Sequence, residues 1–312
     1  MEFLALLAGL VGLWLGTEAT IRGAVAIAAR LRISEFIIGA VVLSIGSDLP
    51  ELTIAVDAAL ETLQSGQASD IVVGSALGSA LGQIGFVLGV TGLTASLALP
   101  RKIVYQHGGM LLGSLVLLGL FGLDGHVSRT EGISLITVYA IYLAFLLADA
   151  TAVARRSQHS ERINLVASLV YLVIGLVIVI GSAELTVSSA TRLAAVLNLE
   201  QSFIAVIIIG LGSSLPELSI SVAAAFKRRA RLSVGNLIGS NIFDTLIPVG
   251  VAAAIVDLKF DYTMLRFELP FLFLLSVLVL VLFRQSRGIQ KREAAIILGV
   301  YLGYVTIKIA ST

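Results

Sequence analysis

Gly46-Ser47-Asp48-Leu49-Pro50-Glu51-Leu52 is repeated, nearly unchanged, as Gly212-Ser213-Ser214-Leu215-Pro216-Glu217-Leu218, and this pair decides the fold. Each copy sets a proline and a glutamate inside a long apolar run, Val41 to Ala59 and Ala205 to Ala225. By hydropathy both runs are helices in lipid, where an ionisable residue at mid-helix costs roughly 2.5 to 3.5 kcal/mol on insertion scales. Something must compensate both glutamates, and a bound cation is the compensation expected.

Composition agrees with a membrane setting. The 312 residues are 57% hydrophobic and 13% charged, more apolar surface than a soluble fold of this size hides. The net charge is only +1, and no stripe of Lys or Arg is interleaved with aromatics, so a nucleic-acid partner is not expected. There is no cysteine, and the only histidines are His107, His126 and His159, which excludes a disulfide framework and a soft-metal site. Any metal must be held by oxygen. Met1-Glu2 and the apolar run after it lack the basic start of a cleavable signal and read as a first membrane span.

Apolar segments of about 20 residues fall at 3–30, 34–60, 70–97, 103–123, 133–153, 163–194, 200–226, 232–256, 263–284 and 292–310. The expected fold is therefore an all-α integral membrane protein of ten transmembrane helices. Basic residues collect on one set of alternate connectors, fifteen against four, with Arg22 and Lys308 left inside spans. Lys and Arg mark cytoplasmic loops, so the N-terminus is placed outside a multi-pass protein of the plasma or inner membrane.

The repeat acquires a geometry from this count. Residues 32–52 and 198–218 align at an offset of 166, and Gly74 to Ser79 aligns with Gly235 to Ser240 at an offset of 161. Five spans fall in each half, 1–153 and 163–312, about a cytoplasmic linker at 154–162. An odd number of crossings inverts the second half relative to the first. Transporters built this way bind substrate near mid-membrane at broken helices in matching positions.

The motif residues offer oxygen. Pro50 cannot donate to the carbonyl of Gly46, nor Pro216 to that of Gly212, which leaves loose carbonyls beside Glu51 and Glu217. Ser47 and Glu51 share a helix face, as do Ser213 and Glu217, Ser79 and Gln83, and Ser240 and Asp244. Such an inventory suits dehydrated calcium or sodium better than magnesium, which keeps its waters. A proline kink or a small-residue spacing alone more often means packing. Nearly all candidate basic partners lie in loops, and Arg22 most simply pairs with Glu18 one turn earlier. Glu184 repeats Glu18 as a polar patch, Lys308 snorkels, and His107 reads as a solvated residue opening the fourth span.

The stretches Gly212-Ser213-Ser214-Leu215-Pro216-Glu217 and Gly235-Asn236-Leu237-Ile238-Gly239-Ser240-Asn241-Ile242-Phe243-Asp244, with weaker copies in the first half, resemble the two alpha repeats of the sodium/calcium exchanger family, in its prokaryotic form without a large regulatory loop. That resemblance implies a transporter without enzymatic activity or cofactor, in which a mobile first and sixth helix slide past eight others. It implies that Glu51 and Glu217 bind calcium and sodium. It assigns Ser47, Ser213, Ser79 and Ser240 to sodium, together with the carbonyls of Ser44 and Gly210, and adds Asp244 and Gln83 to the site. The expected partners are calcium and sodium ions and the lipid bilayer, and the chain is read as a monomer.

Asp48 departs from this pattern by standing where the second copy has Ser214, Ser75 stands where the second has Asn236, and Gln83 is longer than the usual Asn or Asp. Asp48, Glu51, Glu217 and Asp244 could not all stay ionised in an empty apolar site, so protons could replace some or all of the sodium. A proton-coupled cation antiporter is the alternative, with an intramembrane hydrolase or a cation channel more distant. No Ser-His or Ser-Lys partner is apparent for a nucleophile.

Overall fold

The computed structural model describes residues 2–65, 71–156, 164–196, 212–285 and 288–311. Helix α1 (Glu2–Leu31) is followed by a span broken into α2 (Glu35–Ser47) and α3 (Leu49–Ser65), bent by 45°. Then come α4 (Ile71–Thr94), α5 (Arg101–Phe121), α6 (Arg129–Arg156), α7 (Leu165–Val196), α8 (Leu215–Phe226), α9 (Ala230–Ile255), α10 (Met264–Gln285) and α11 (Lys291–Ser311). Among the described residues, seven helices are long and apolar enough to cross a membrane, or eight if the bent pair is one span. Of the ten expected spans, α8 is short and preceded by residues outside the described set, and α11 is not among those that qualify. Helix α6 also continues to Arg156, into the expected linker.

Local chemistry explains the breaks. Ser34 caps α2 by accepting the Phe36 amide at 3.2 Å. Asp48 interrupts the second span with φ −92° and ψ 7°, and Ser214, its repeat counterpart, has φ −90° and ψ 10°. Both precede a Leu-Pro pair whose proline withholds a helical donor, so the same sequence device makes the same break twice. Stretches Ile38–Leu43, Gly82–Val87 and Met264–Glu268 are wound as π-helix, a form common at functional sites.

Two small antiparallel contacts fix the directions of the helices. Leu97 and Ile289 exchange backbone hydrogen bonds of 2.9 Å, whereas β1 (His126–Val127) pairs with β2 (Leu258–Lys259). Helix α5 runs from the first contact to the second and α10 from the second to the first, so these counterparts are antiparallel. The contacts are themselves repeats, since Leu97 and Leu258 lie 161 positions apart and Val127 and Ile289 lie 162 apart. Tyr139 and Tyr142 on α6 have ring centroids 6.4 Å apart, and Tyr301 and Tyr304 on α11 reproduce that spacing at 6.4 Å.

The buried apolar side chains form two clusters. One joins α1 and α7 to parts of α2, α8 and α9 through Leu13, Ile21, Leu172, Val179, Ile220 and Leu232; the larger one holds the remaining helices together. The seam between α1 and α7 is lined with glycine. A Cβ on Gly16 would lie 3.0 Å from the Gly175 carbonyl oxygen, and one on Gly175 would lie 2.5 Å from the Thr20 nitrogen. Close backbone approach of this kind gives van der Waals packing where lipid removes the hydrophobic drive.

Several polar residues stand otherwise than expected. Glu18 pairs with Lys227 at the end of α8, not with Arg22, whose guanidinium lies 5.2 Å from the centre of the Tyr171 ring. Tertiary packing brought a nearer cation than the helix neighbour. His107 is buried, with Nδ1 2.9 Å from the Tyr142 hydroxyl and its ring 4.4 Å from Phe36, so helix packing and not solvent accommodates it. Lys308 reaches Glu268 at 2.6 Å. Because its Cβ would meet backbone atoms that cannot yield, Gly175→Val is expected to cost about 1–3 kcal/mol. Gly181→Val, which faces open space on the same helix, should leave the melting midpoint in detergent unchanged, and equal midpoints for both variants would dismiss the seam as a constraint.

Candidate functional site

The bend at Asp48, the start of α8 after Ser214 and the middle of α4 and α9 meet inside the bundle. Glu217 and Asp244 are fully buried, Asp48 likewise, and Glu51 is 9% exposed. Asp48 interacts electrostatically with Asp244, Glu217 and Glu51, and its carboxyl faces that of Glu217. No basic side chain is paired with any of the four among the described residues.

Their oxygens are poorly supplied with donors. Both carboxylate oxygens of Glu217 lack a hydrogen-bond partner, as do one each of Asp48, Glu51 and Asp244 and the hydroxyls of Ser240 and Ser214. Buried polar atoms are nearly always satisfied, so this concentration marks a place that an external group completes. Ser47 donates to Asp48 Oδ1 and to the Ser44 carbonyl, each at 3.3 Å. That carbonyl also accepts the Asp48 amide at 3.0 Å. Ser44 turns its own hydroxyl back to Ala40, at 2.8 Å.

Asp244 is held from the other half of the chain. Its Oδ2 accepts Ser79 Oγ at 2.9 Å and Gln83 Nε2 at 3.0 Å, although Ser240 shares its helix face. Gln83 Oε1 in turn accepts Asn241 Nδ2 at 2.8 Å, which also donates to the Leu237 carbonyl at 2.8 Å. The extra length of Gln83 lets it span α4 to α9. Asn241 and Asn236 are site neighbours that sequence reasoning left out. Asn236 donates to Ser221 at 3.2 Å and keeps an unpartnered Oδ1. Their signal was present, because both are amides inside the second repeat.

Ser213 stands apart from this cluster, exposed on the wall of a large cavity, and Gly210 lies outside the described residues. That cavity, of about 760 Å³, runs between α3 and the last turns of α7 and is lined by Glu51, Pro50, Glu184, Arg192, Gly212 and Pro216. A second space of about 10 Å³, room for one water-sized sphere, lies between Glu51, Ser75, Asp244 and Pro248. Glu51 therefore lines both the wide vestibule and a confined space that also holds Asp244 and Ser75. Among the described residues no three Asp, Glu or His side chains converge on one point.

Comparison with known proteins gives a consistent neighbourhood. The family described as "Sodium/calcium exchanger protein" matches residues 1–148 and 167–310. A membrane protein of Methanocaldococcus jannaschii is 31% identical over 95% of this chain and 94% of its own. A sodium/calcium exchanger of Methanosarcina acetivorans is 24% identical over 98% of both chains. A structure of the sodium-calcium exchanger NCX_Mj soaked without Na+ and Ca2+ superposes with a TM-score of 0.83 at 27% identity, covering 98% of each chain.

The cross-helix network has a measurable consequence. Gln83→Leu removes a donor from Asp244 and the acceptor of Asn241, and buried groups left unsatisfied cost about 1–3 kcal/mol. A lowered melting midpoint in cation-free detergent is expected, and an unchanged one would show that these contacts do not tie α4 to α9.

Proposed function

Because the chain belongs to the sodium/calcium exchanger family, we propose that it exchanges calcium for sodium by alternating access, with the ions held at mid-membrane by Glu51 and Glu217. It is a membrane antiporter and not an enzyme. One observation carries the assignment of the site: two glutamates at matching repeat positions, each beside a proline break, have buried carboxylate oxygens without donors or basic partners. A cation supplies the missing charge, and the freed backbone carbonyls and neighbouring hydroxyls supply the remaining oxygens that calcium prefers. Asp244, Ser240 and Ser79 form the adjoining part of the site. Ser47, Ser44, Gln83 and Asp48 border Glu51 and Asp244, and Ser213 and Gly210 extend the site on the second repeat.

The transport step follows from how the helices pack. Helices α1 and α7 share a glycine seam and an apolar cluster of their own. They move as a pair against the larger cluster, exposing Glu51 and Glu217 to one side and then the other. The wide cavity beside Glu51 lies at the end of the bundle where Glu2 pairs with Arg192 at 2.9 Å. We place that end outside, in a monomer of the plasma or inner membrane, from the excess of Lys and Arg on the opposite connectors. The two five-helix halves, 1–153 and 163–312, are inverted repeats joined by a cytoplasmic linker at 154–162.

A second reading rests on Asp48. A fully buried carboxylate facing Glu217 adds a negative charge where the other repeat has a neutral serine. A proton is the simplest compensation, which would couple cation movement to protons.

Both readings are open to the same vesicle assay. Reconstituted vesicles loaded with sodium should accumulate calcium, and Glu217→Gln should lower the initial rate on the order of a hundredfold, the cost of removing one partner of a buried charge contact. Wild-type uptake in that variant would reject the site. Protons compete for carboxylate ligands, so uptake should rise as pH increases, and Asp48→Ser should flatten the profile. Calcium uptake that follows an imposed pH gradient in the absence of sodium would replace sodium coupling with proton coupling.

A further inference from the structure

A polar cavity of about 470 Å³ opens at the end of the bundle opposite the vestibule. Its walls come from two corners and a connector: Ser34 and Glu35 between α1 and α2, Ala98 before α5, and Arg228, Arg229 and Arg231 between α8 and α9. Arg229 is neutralised by Glu35 at 2.6 Å. Among the described residues, Arg228 and Arg231 have no carboxylate partner, so the cavity carries uncompensated positive charge.

These arginines are placed against local preference. Arg228 has φ 60°, and its amide and that of Arg229 close the end of α8 on the carbonyls of Ala225 and Ala224, at 2.9 and 2.8 Å. That closing geometry normally carries glycine, since a side chain at positive φ is strained. Arg231 and Arg229 sit at the start of α9, whose first turn has no acidic residue and no side-chain cap, although the positive end of the helix dipole disfavours cations. An anion resting in the cavity would offset the electrostatic penalty.

We propose that this cavity holds the phosphate of an anionic phospholipid headgroup, bound by Arg228 and Arg231. Its location selects a lipid over a soluble anion, because the corner residues follow directly on membrane-embedded helices and basic pockets of this kind between spans recognise lipid headgroups. Arginine is suited to the task by its planar fork of donors, which matches phosphate oxygens bidentately. The occupant would touch the corner after α1 and the start of α9 together.

The test uses the full chain in nanodiscs of phosphatidylcholine containing phosphatidylglycerol, then released into neutral detergent and weighed intact by native mass spectrometry. Wild type is expected to retain about one phosphatidylglycerol per chain. Arg228→Gly, which suits the backbone of that corner, combined with Arg231→Gln should lower the retained fraction at least about tenfold. Arg292→Gln removes an exposed charge at the same end but outside the cavity and should retain the lipid. Equal retention in all three, or an equal loss with Arg292→Gln, overturns the site in favour of general surface attraction. Saturable binding of radiolabelled inorganic phosphate to delipidated wild type, without lipid retention, overturns the lipid assignment.

Discussion

The structure depends on one constraint: carboxylates buried mid-bundle without a basic partner. Taking an ionised carboxylate out of water costs several kcal/mol even after relaxation, and only opposite charge or converging donors offset it. Glu217 has neither, and Glu51, Asp48 and Asp244 have only partial relief. The broken helices answer the same constraint from the backbone side. Pro50 and Pro216 free carbonyl oxygens next to acids without a basic partner, so in the proposed site the charge to be compensated and the neutral ligands arise from one short motif. A helix without the break would present the acid with no neighbouring backbone oxygen. A break without the acid would leave carbonyls unsatisfied in an apolar interior.

The proposed alternating access places a second requirement on the same molecule, because a site sealed within one rigid core could release nothing. The division of the apolar side chains answers it. Helices α1 and α7 meet along Gly16 and Gly175, where the backbones approach closely. Leu13, Ile21, Leu172 and Val179 join them in a cluster that also takes in Ile38, Ile220 and Leu232 of α2, α8 and α9. That face also carries two polar ties to α8, Thr17 donating to Ser219 at 3.1 Å and Glu18 pairing with Lys227, whereas Gln83 and Ser79 tie α4 to α9 through Asp244.

Much of this was legible in the sequence because the signal was local. The paired motif, its prolines and the face-sharing of Ser47 with Glu51 all follow from spacing within one helix. The matching bends at Asp48 and Ser214 bear out the idea of equivalent breaks. What escaped lies between helices. Helical period shows that Ser240 and Asp244 share a face but is silent on which residue of another span meets it, and Ser79, 165 positions away, takes the hydrogen bond. The same blindness misassigned Glu18 to Arg22, since a neighbour one turn away is visible in sequence and Lys227 at the end of α8 is not. His107 was read from its place near a span end, but Phe36 and Tyr142 close over it.

Asp48 shows how one substitution at a repeat position reshapes the electrostatic balance without touching the fold. Its backbone angles match those of Ser214 closely, so the break does not require either side chain. The difference is charge alone. With serine in both copies, three carboxylates, Glu51, Glu217 and Asp244, would share the site. With Asp48 ionised as a fourth, a divalent ion leaves more negative charge behind, and Ser47 offers it a single long contact of 3.3 Å from a hydroxyl that also reaches the Ser44 carbonyl. The remaining charge must be met by a further cation or a proton in every state of the cycle, including the empty one. A group that carries its compensating ion through both halves of the cycle adds nothing to coupling, whereas one that releases it on a single side adds a coupled charge. The side on which Asp48 is relieved of its partner therefore decides whether this position tunes affinity or stoichiometry, and its contact with Glu217, across the two repeats, makes that relief depend on the substrate site itself.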